Sequence, residues 1–228
     1  MNARPKLSII LPVLNEARGI AETLAALRPL AAEIIVVDGG SDDATPAIAQ
    51  RLADQLITAP RGRARQMNAG AAVARGDILL FLHADTLLPV GADQSIIAAL
   101  AAGAAWGRFD VRITGESLWL PLIAALMNRR SRLTGIATGD QAIFVRRAAF
   151  AALGGFPAQP LMEDIELSRR LKAQSPPACL RERVLTSGRR WEKHGVLRTV
   201  LLMWSLRLRY FFGADPQRLA RAYGYASD

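Results

Sequence analysis

Short unbroken apolar runs alternate along this chain with stretches in which apolar residues recur at helical spacing. Residues 7–14, LSIILPVL, form an apolar run between polar neighbours, which predicts a strand buried on both faces. In residues 16–30, EARGIAETLAALRPL, Ile20, Leu24 and Leu27 share one helix face and Pro29 marks its end. The pattern repeats in residues 33–53: a buried strand ends at Asp38, a Gly-rich turn follows, and a helix starts near Thr45 and Pro46. A short strand QLITA (55–59), an Arg- and Ala-rich helix (61–76) and a strand DILLFLHAD (77–85) complete a regular alternation. Such an order predicts an α/β protein with a mostly parallel, Rossmann-like central sheet flanked by helices.

Beyond Pro89 the regularity weakens. An Ala-rich helix to about residue 102 precedes a strand AWGRFDVRI (105–113) and an apolar segment SLWLPLIAALMNRRSRL (117–133), where the sheet is expected to turn mixed. DQAIFVRR (140–147) reads as a strand, and RAAFAALGGFP (147–157) as a short helix closed by Gly154 and Gly155. LMEDIELSRRLKAQ (161–174) reads as a helix with Leu161, Ile165 and Leu171 inward. The tail HGVLRTVLLMWSLRLRYFF (194–212) intersperses arginines with leucines and aromatics. It has two readings: a helix packed on the domain, or an interfacial helix whose arginines meet anionic lipid at the inner face of a membrane.

With 228 residues, 51% hydrophobic and 21% charged, the chain has enough apolar mass for one well-packed domain and is not a disordered chain. The expected organisation is a single domain over 1–228, with one half to about 88, a second to about 193, and the apolar-basic tail after it. A net charge of +9 calls for anionic company, whether nucleotide phosphates, nucleic acid or an acidic membrane. Aromatics are only 6% and do not interleave with a basic stripe, which weighs against nucleic acid. The single cysteine, Cys179, excludes an internal disulfide framework and fits a reducing, cytoplasmic setting. No apolar segment reaches the roughly 18 residues of a spanning helix, and the N-terminus lacks the pattern of a cleaved signal.

In an open parallel sheet ligands collect at the carboxyl ends of the strands. There the sequence places Pro12 and Glu16, then Asp38, Asp42 and Asp43, then His83 and Asp85. Any one of these is at home as a turn former or helix cap. Several carboxylates together need a cation, donors or arginines to compensate them. PRGRARQMNAG supplies Arg61, Arg63 and Arg65 beside a helix start, and the guanidinium fork matches phosphate oxygens. A hard carboxylate oxygen such as that of Asp85 suits Mg²⁺ or Mn²⁺ held against a diphosphate.

SIILPVLNEARGI, IIVVDGGSDDAT, GRARQMNAGAAVARGDILLFLHADT and FPAQPLMEDIELSRRL resemble, in order, the successive blocks of the family 2 glycosyltransferases. The likeness runs from about Leu7 to Leu171, and a bacterial subgroup linked by name to arsenosugar biosynthesis is the nearest in pattern. This resemblance implies the GT-A fold and transfer of a sugar from a nucleoside diphosphate sugar, most often a UDP-sugar, to a hydroxyl acceptor, with inversion and a divalent metal. It implies that Pro12 and Glu16 line the base and ribose pocket, that Asp38 meets the nucleobase with Asp42 or Asp43 beside it, and that Arg63, Arg65 and Asn68 face the nucleotide. Asp85 takes the metal-binding last place of the DxD motif, while His83 replaces the usual first aspartate and lowers the negative charge there. In MEDIEL, Asp164 falls at the catalytic base, with Glu163 beside it; the competing role is that of a helix-start carboxylate. GDQ, Gly139 to Gln141, lies where family members shape the acceptor side, and SGRRWE resembles a shortened terminal motif in which Arg189 or Arg190 meets diphosphate and Trp191 stacks on a sugar. The alternatives are a sugar-phosphate nucleotidyltransferase, for which PVLNEARG is poor in glycine, and a non-catalytic module for anionic membranes or nucleic acid.

Overall fold

A computed structural model of the protein describes residues 7–225, apart from the side chains of Arg190 and His194. The first part alternates as β1 (Leu7–Val13), α1 (Ile20–Leu27), β2 (Ala32–Asp38), α2 (Thr45–Leu52), β3 (Gln55–Thr58), α3 (Arg63–Val73) and β4 (Ile78–Phe81). Next come β5 (Thr86–Leu87), α4 (Ala92–Ala101), β6 (Trp106–Thr114), α5 (Leu120–Thr134), a 3-10 turn at Gly139–Gln141 and β7 (Ile143–Arg146). The remainder is α6 (Arg147–Ala152), α7 (Glu163–Gln174), β8 (Ala178–Ser187), α8 (Arg189–His194), α9 (Val196–Phe211) and α10 (Pro216–Tyr223).

These strands form one sheet in the order β3-β2-β1-β4-β7-β6-β8-β5. The β1, β2, β3 and β4 ladders are parallel, as expected. From β7 onward the sheet is mixed: β7 is antiparallel to both β4 and β6, β8 is parallel to β6, and β5 is antiparallel to β8. Alternate residues of the buried strands feed two cores. Ile9, Leu11 and Val36 pack with α1, α2, α4 and α5 on one face; Ile10, Ile35 and Val37 pack with α3, α6 and α7 on the other. A third, smaller cluster joins Leu206 of α9 and Leu219 of α10 to Leu161 and Met162 just ahead of α7.

Departures from the sequence expectation include β4, β8 and the segment before β7. β4 ends at Phe81 instead of reaching Asp85. Leu82 still donates to Ile10 O (3.0 Å), but the next ladder donor on β1 is Pro12, which has no N–H. The chain is therefore free to turn, and His83, Ala84 and Asp85 leave the sheet as a loop. β8 went unread because Arg181, Glu182 and Arg183 interrupt its apolar character; all three are exposed. The segment before β7 forms the 3-10 turn, with Thr138 and Gln141 making a reciprocal capping box.

Candidate functional site

The carboxyl ends of β1 and β4, the start of α3, α8 and the C-terminal helices enclose a cleft of about 760 Å³. Its floor is tied together by Gln66 on α3, whose Nε2 donates to Val13 O (2.9 Å) and Val37 O (2.8 Å), while Oε1 accepts the Gly62 N–H. One buried amide thus fixes two strand ends and the basic loop. Gly70 lets α3 lie close on β1: a Cβ there would stand 2.5 Å from Ile10 Cγ2.

Pro12 and Glu16 line the cleft. Burial raises the Glu16 pKa, against the opposing charge of Arg189. Asp38 is buried, with Oδ2 accepting the Gly40 and Ser41 N–H groups at 3.0 Å and Oδ1 accepting the Ser41 hydroxyl. Its carboxylate shapes the turn behind the cleft wall. Asp42 is exposed on that turn and donates its N–H to Asn15 Oδ1 (2.8 Å), which holds Asn15 at a φ of 55°. Asn68 exchanges both amide groups with the Phe156 backbone, at 2.9 Å each, and so anchors the loop before α7.

Arg63 and Arg65 both line the cleft. Arg63 is engaged: Nε lies 3.8 Å from Glu163 Oε1, and its guanidinium stacks on and hydrogen-bonds Tyr225. Arg189 Nη2 lies 3.4 Å from Glu16 Oε2 and 3.7 Å from Asp85 Oδ2, bridging two carboxylates from different strand ends. Trp191 is half-buried between the cleft and the first core. Arg190 has its side chain outside the described residues.

The 3-10 turn connects the β4 end to α7. His83 Nδ1 stands 3.3 Å from Asp140 Oδ1, and the next residue back, Gly139, donates its N–H to Asp164 Oδ2 (2.8 Å). Burial pulls the His83 pKa down, but the hydrogen bond and charge of Asp140 outweigh it and the net direction is up; the Asp140 carboxyl is correspondingly lowered in spite of its burial. The pair favours imidazolium facing carboxylate. His83, which stands where the expected motif has its first aspartate, thus faces a carboxylate supplied from another segment. Gly139 is required there: a Cβ would lie 2.4 Å from His83 Nε2. Asp164 begins α7 half-buried, and its Oδ1 accepts the Ile165 N–H (2.7 Å). Glu163 is 3% exposed, and burial raises its pKa against the pull of Arg63.

Among the described residues no group of three or more His, Cys, Asp and Glu is placed to hold a metal ion. Asp85, 34% exposed at its side chain and facing Arg189, fits the other arrangement, in which one hard carboxylate oxygen holds an ion that takes its remaining ligands from phosphate and water. Sequence reasoning missed Gln66 and Tyr225, and it placed Asp140 within an acceptor-side segment without its pairing to His83. Gln66 lies inside a quoted motif, and Asp140 inside GDQ, but their partners come from distant segments and local pattern carries no signal of them.

The family model described as glycosyl transferase family 2 matches residues 8–154. A probable glycosyltransferase, YdaM of Bacillus subtilis, is 29% identical over 199 residues, covering 75% of this chain and 47% of its own. The succinoglycan biosynthesis protein ExoA of Rhizobium meliloti is 31% identical over 188 residues, covering 72% of this chain and 57% of its own. The chain therefore spans about half the length of these curated relatives. Among solved structures, the mannosyltransferase PcManGT from Pyrobaculum calidifontis, in complex with GDP-Man and Mn²⁺, superposes with a TM-score of 0.67 at 22% identity, over 98% of this chain and 70% of that one. TarS 1-349 of S. aureus in complex with UDP-GlcNAc gives 0.63 at 16% identity, over 80% and 58%. The fold is that of the GT-A glycosyltransferases, and with the family model spanning more than half its length, the chain belongs to glycosyl transferase family 2.

Proposed function

We propose that the protein transfers a sugar from a nucleoside diphosphate sugar to an acceptor hydroxyl with inversion at the anomeric carbon. The observation that carries this reading is the Gly139–Gln141 turn, which joins the His83–Asp85 loop, on the donor side, to Asp164 on α7. In the reaction the acceptor oxygen forms a bond to the anomeric carbon as the bond to the diphosphate breaks. The nucleoside diphosphate leaves with the electron pair, and the acceptor's proton passes to Asp164 as general base. Glu163 holds Arg63 beside it. Arg61, Arg65 and Arg189 surround the diphosphate and stabilise its developing charge. Asp85 would hold a divalent ion, Mg²⁺ or Mn²⁺, which would supply Lewis-acid stabilisation of the leaving group. Pro12, Glu16 and the Asp38–Asp42 turn form the base and ribose end, with uridine as the base. Residues 1–88 act as the nucleotide half and 89–193 as the acceptor half of one domain.

The reading extends to location. Among the described residues no helix is long and apolar enough to cross a membrane. α9 nevertheless carries Leu197, Leu201, Trp204, Leu208 and Phe211 exposed along one face, and α5 adds Leu118, Trp119, Leu122 and Leu126 at or near its N-terminal half. Exposed Arg129, Arg198 and Arg209 flank them. An apolar stripe edged with arginine suits the surface of an anionic bilayer, here the cytoplasmic face. Flotation with liposomes containing phosphatidylglycerol, and its loss in a Trp204→Ala, Phe211→Ala variant, checks this.

The donor reading is tested by thermal-shift titration against a panel of nucleotide sugars with and without Mn²⁺, since a ligand bound only by the folded state raises the melting temperature. At least one nucleotide sugar should stabilise the protein, and Asp85→Ala should lose the Mn²⁺-dependent part alone. Absence of any nucleotide-sugar response would sink the proposal.

A further inference from the structure

β8, the strand that local pattern does not reveal, brings a cation to Asp85. Ser187 at its end donates its N–H to Asp85 O (3.3 Å), next to the Thr86–Thr186 pair of the β5–β8 ladder. Gly188 then lies tight on β6: it donates to Thr114 O at 2.7 Å, and a Cβ would stand 2.3 Å from that same oxygen. The Arg189 N–H is held by Ser187 Oγ (3.3 Å). The backbone is thus fixed at the point from which the Arg189 side chain leaves. The side chain itself is 60% exposed and reaches over the cleft, with Nη2 3.4 Å from Glu16 Oε2 and 3.7 Å from Asp85 Oδ2.

Neither distance is that of a tight bidentate pair, and exposed ion pairs of this kind are weak. Among the described residues, however, no other basic side chain forms an ion pair with Glu16 or Asp85. The two carboxylates also feel each other: after burial, Arg189 is the strongest influence on the Glu16 carboxyl, and Asp85 and Asp43 act on it in the opposite sense to Arg189. One guanidinium therefore serves two strand ends, through a contact that is easily given up. A divalent ion on Asp85 would meet that guanidinium as a like charge on the same carboxylate, so the two compete for it. The arginine fork in turn can make two parallel bonds to phosphate oxygens, which uses its donors more fully than the present contact does.

We propose that Arg189 is the resident counter-ion of Asp85, competing with a divalent ion for that carboxylate until an anion in the cleft draws the guanidinium away. On the glycosyltransfer reading, on which this last step rests, the anion is the diphosphate, so that the ion binds well only together with the nucleotide. Rotation of the Arg189 side chain carries out the exchange, while the β5–β8 ladder and Gly188 keep the backbone in place.

The test is titration of the full chain with Mn²⁺, the free ion being followed by electron paramagnetic resonance, without nucleotide and with saturating UDP. Wild type, Arg189→Gln, Asp85→Ala and Arg221→Gln are compared. Arg221 lines the same cleft from α10 and is not paired with Asp85 among the described residues, so its substitution controls for the loss of one positive charge. Without nucleotide, Arg189→Gln should bind Mn²⁺ about threefold more tightly than wild type, the order of an exposed ion pair's contribution, while Arg221→Gln should match wild type. UDP should strengthen Mn²⁺ binding by wild type about threefold more than it does for Arg189→Gln, since part of the coupling between the two ligands runs through Arg189. Asp85→Ala should lose Mn²⁺ binding in both conditions. An Arg189→Gln affinity equal to or below that of wild type, the same gain in Arg221→Gln, Mn²⁺ binding that survives Asp85→Ala, or Mn²⁺ binding by none of the proteins overturns the proposal. So does an enhancement by UDP that is equal in wild type and Arg189→Gln. If UDP changes nothing in any of the proteins while Arg189→Gln tightens Mn²⁺, the nucleotide reading fails and the competition at Asp85 stands.

Discussion

The parallel half of the sheet and the C-terminal helices use similar apolar residues in opposite ways. In β1, β2 and β4 the side chains of Ile9, Ile10, Val36 and Leu80 are at 0% exposure, enclosed by helices on both faces. In α9 Leu206 is equally enclosed, yet Leu208, two residues on, is 59% exposed, and Phe211 is 81% exposed. The first region is complete as a folded object in water. The second spends part of its apolar surface outward and gains from it only at another surface. The difference separates what holds the fold from what the fold offers to partners, and the two regions meet at Asp164, which the sheet side fixes through Gly139 and the tail side approaches through Leu161 and Met162.

Breaking that meeting point should have the largest effect. Asp164→Asn is expected to lower the transfer rate by about 10²–10⁴-fold, the usual contribution of a general base, with an unchanged circular dichroism spectrum; near wild-type turnover would remove Asp164 from the role. Gly139→Ala comes next. Its Cβ has no room beside His83, and overpacking of this kind costs about 1–3 kcal/mol. Urea titration should register that loss together with reduced transfer, because the turn holds Asp164 in place.

The contrast within α9 is sharpened by a pair of truncations. Leu206→Ala should destabilise by about 2–5 kcal/mol, as removal of a buried leucine does, whereas Leu208→Ala should stay within about 0.5 kcal/mol in denaturant titration and weaken liposome binding instead. Equal stability losses would mean that the outer stripe is covered in solution.

The last effect is a pH dependence centred on the α7 carboxylate that the tail touches. Glu166 on α7 accepts from Arg169 and Arg170, and Tyr210 of α9 donates to it at 3.3 Å. The Arg169 hydrogen bond is the first cause lowering its pKa from 4.5 to about 2. A depressed carboxyl contributes stability that is full above its unfolded value and is lost as pH falls through the folded one. The contribution, on the order of 2 kcal/mol by linkage, should therefore fade from about pH 4.5 toward pH 2. Glu166→Gln should flatten that acid limb in thermal melts at stepped pH, and an unchanged limb would assign it to other carboxyls.

Most of the parallel half was legible in the sequence because burial on both faces leaves an uninterrupted apolar run, which local pattern records directly. β8 was not, since its sheet position comes from pairing with β6 and β5 while its middle residues Arg181–Arg183 face water. Asp85 and His83 were legible as chemistry at a strand end, although the strand stops earlier than its apolar run because Pro12 withholds a ladder donor. The pairing of Asp140 and the role of Gln66 were not, because each acts through residues far away along the chain: Asp140 through His83, Gln66 through Val13 and Val37. Arg130 reads in sequence as one of three arginines in MNRRSRL, and only packing reveals that its Nε and Nη2 have no hydrogen-bond partner among the described residues.

The three-residue turn at Gly139–Gln141 also works as a ruler. Its first residue holds Asp164 and its second holds His83, so the offset between the donor end and α7 is one covalent step, about 3.8 Å from Cα to Cα. Side-chain rearrangement can tilt that step but cannot lengthen it. An acceptor of greater bulk must find its room in the outer walls, where the α9 and α10 residues of the cleft are held by the smallest of the three clusters.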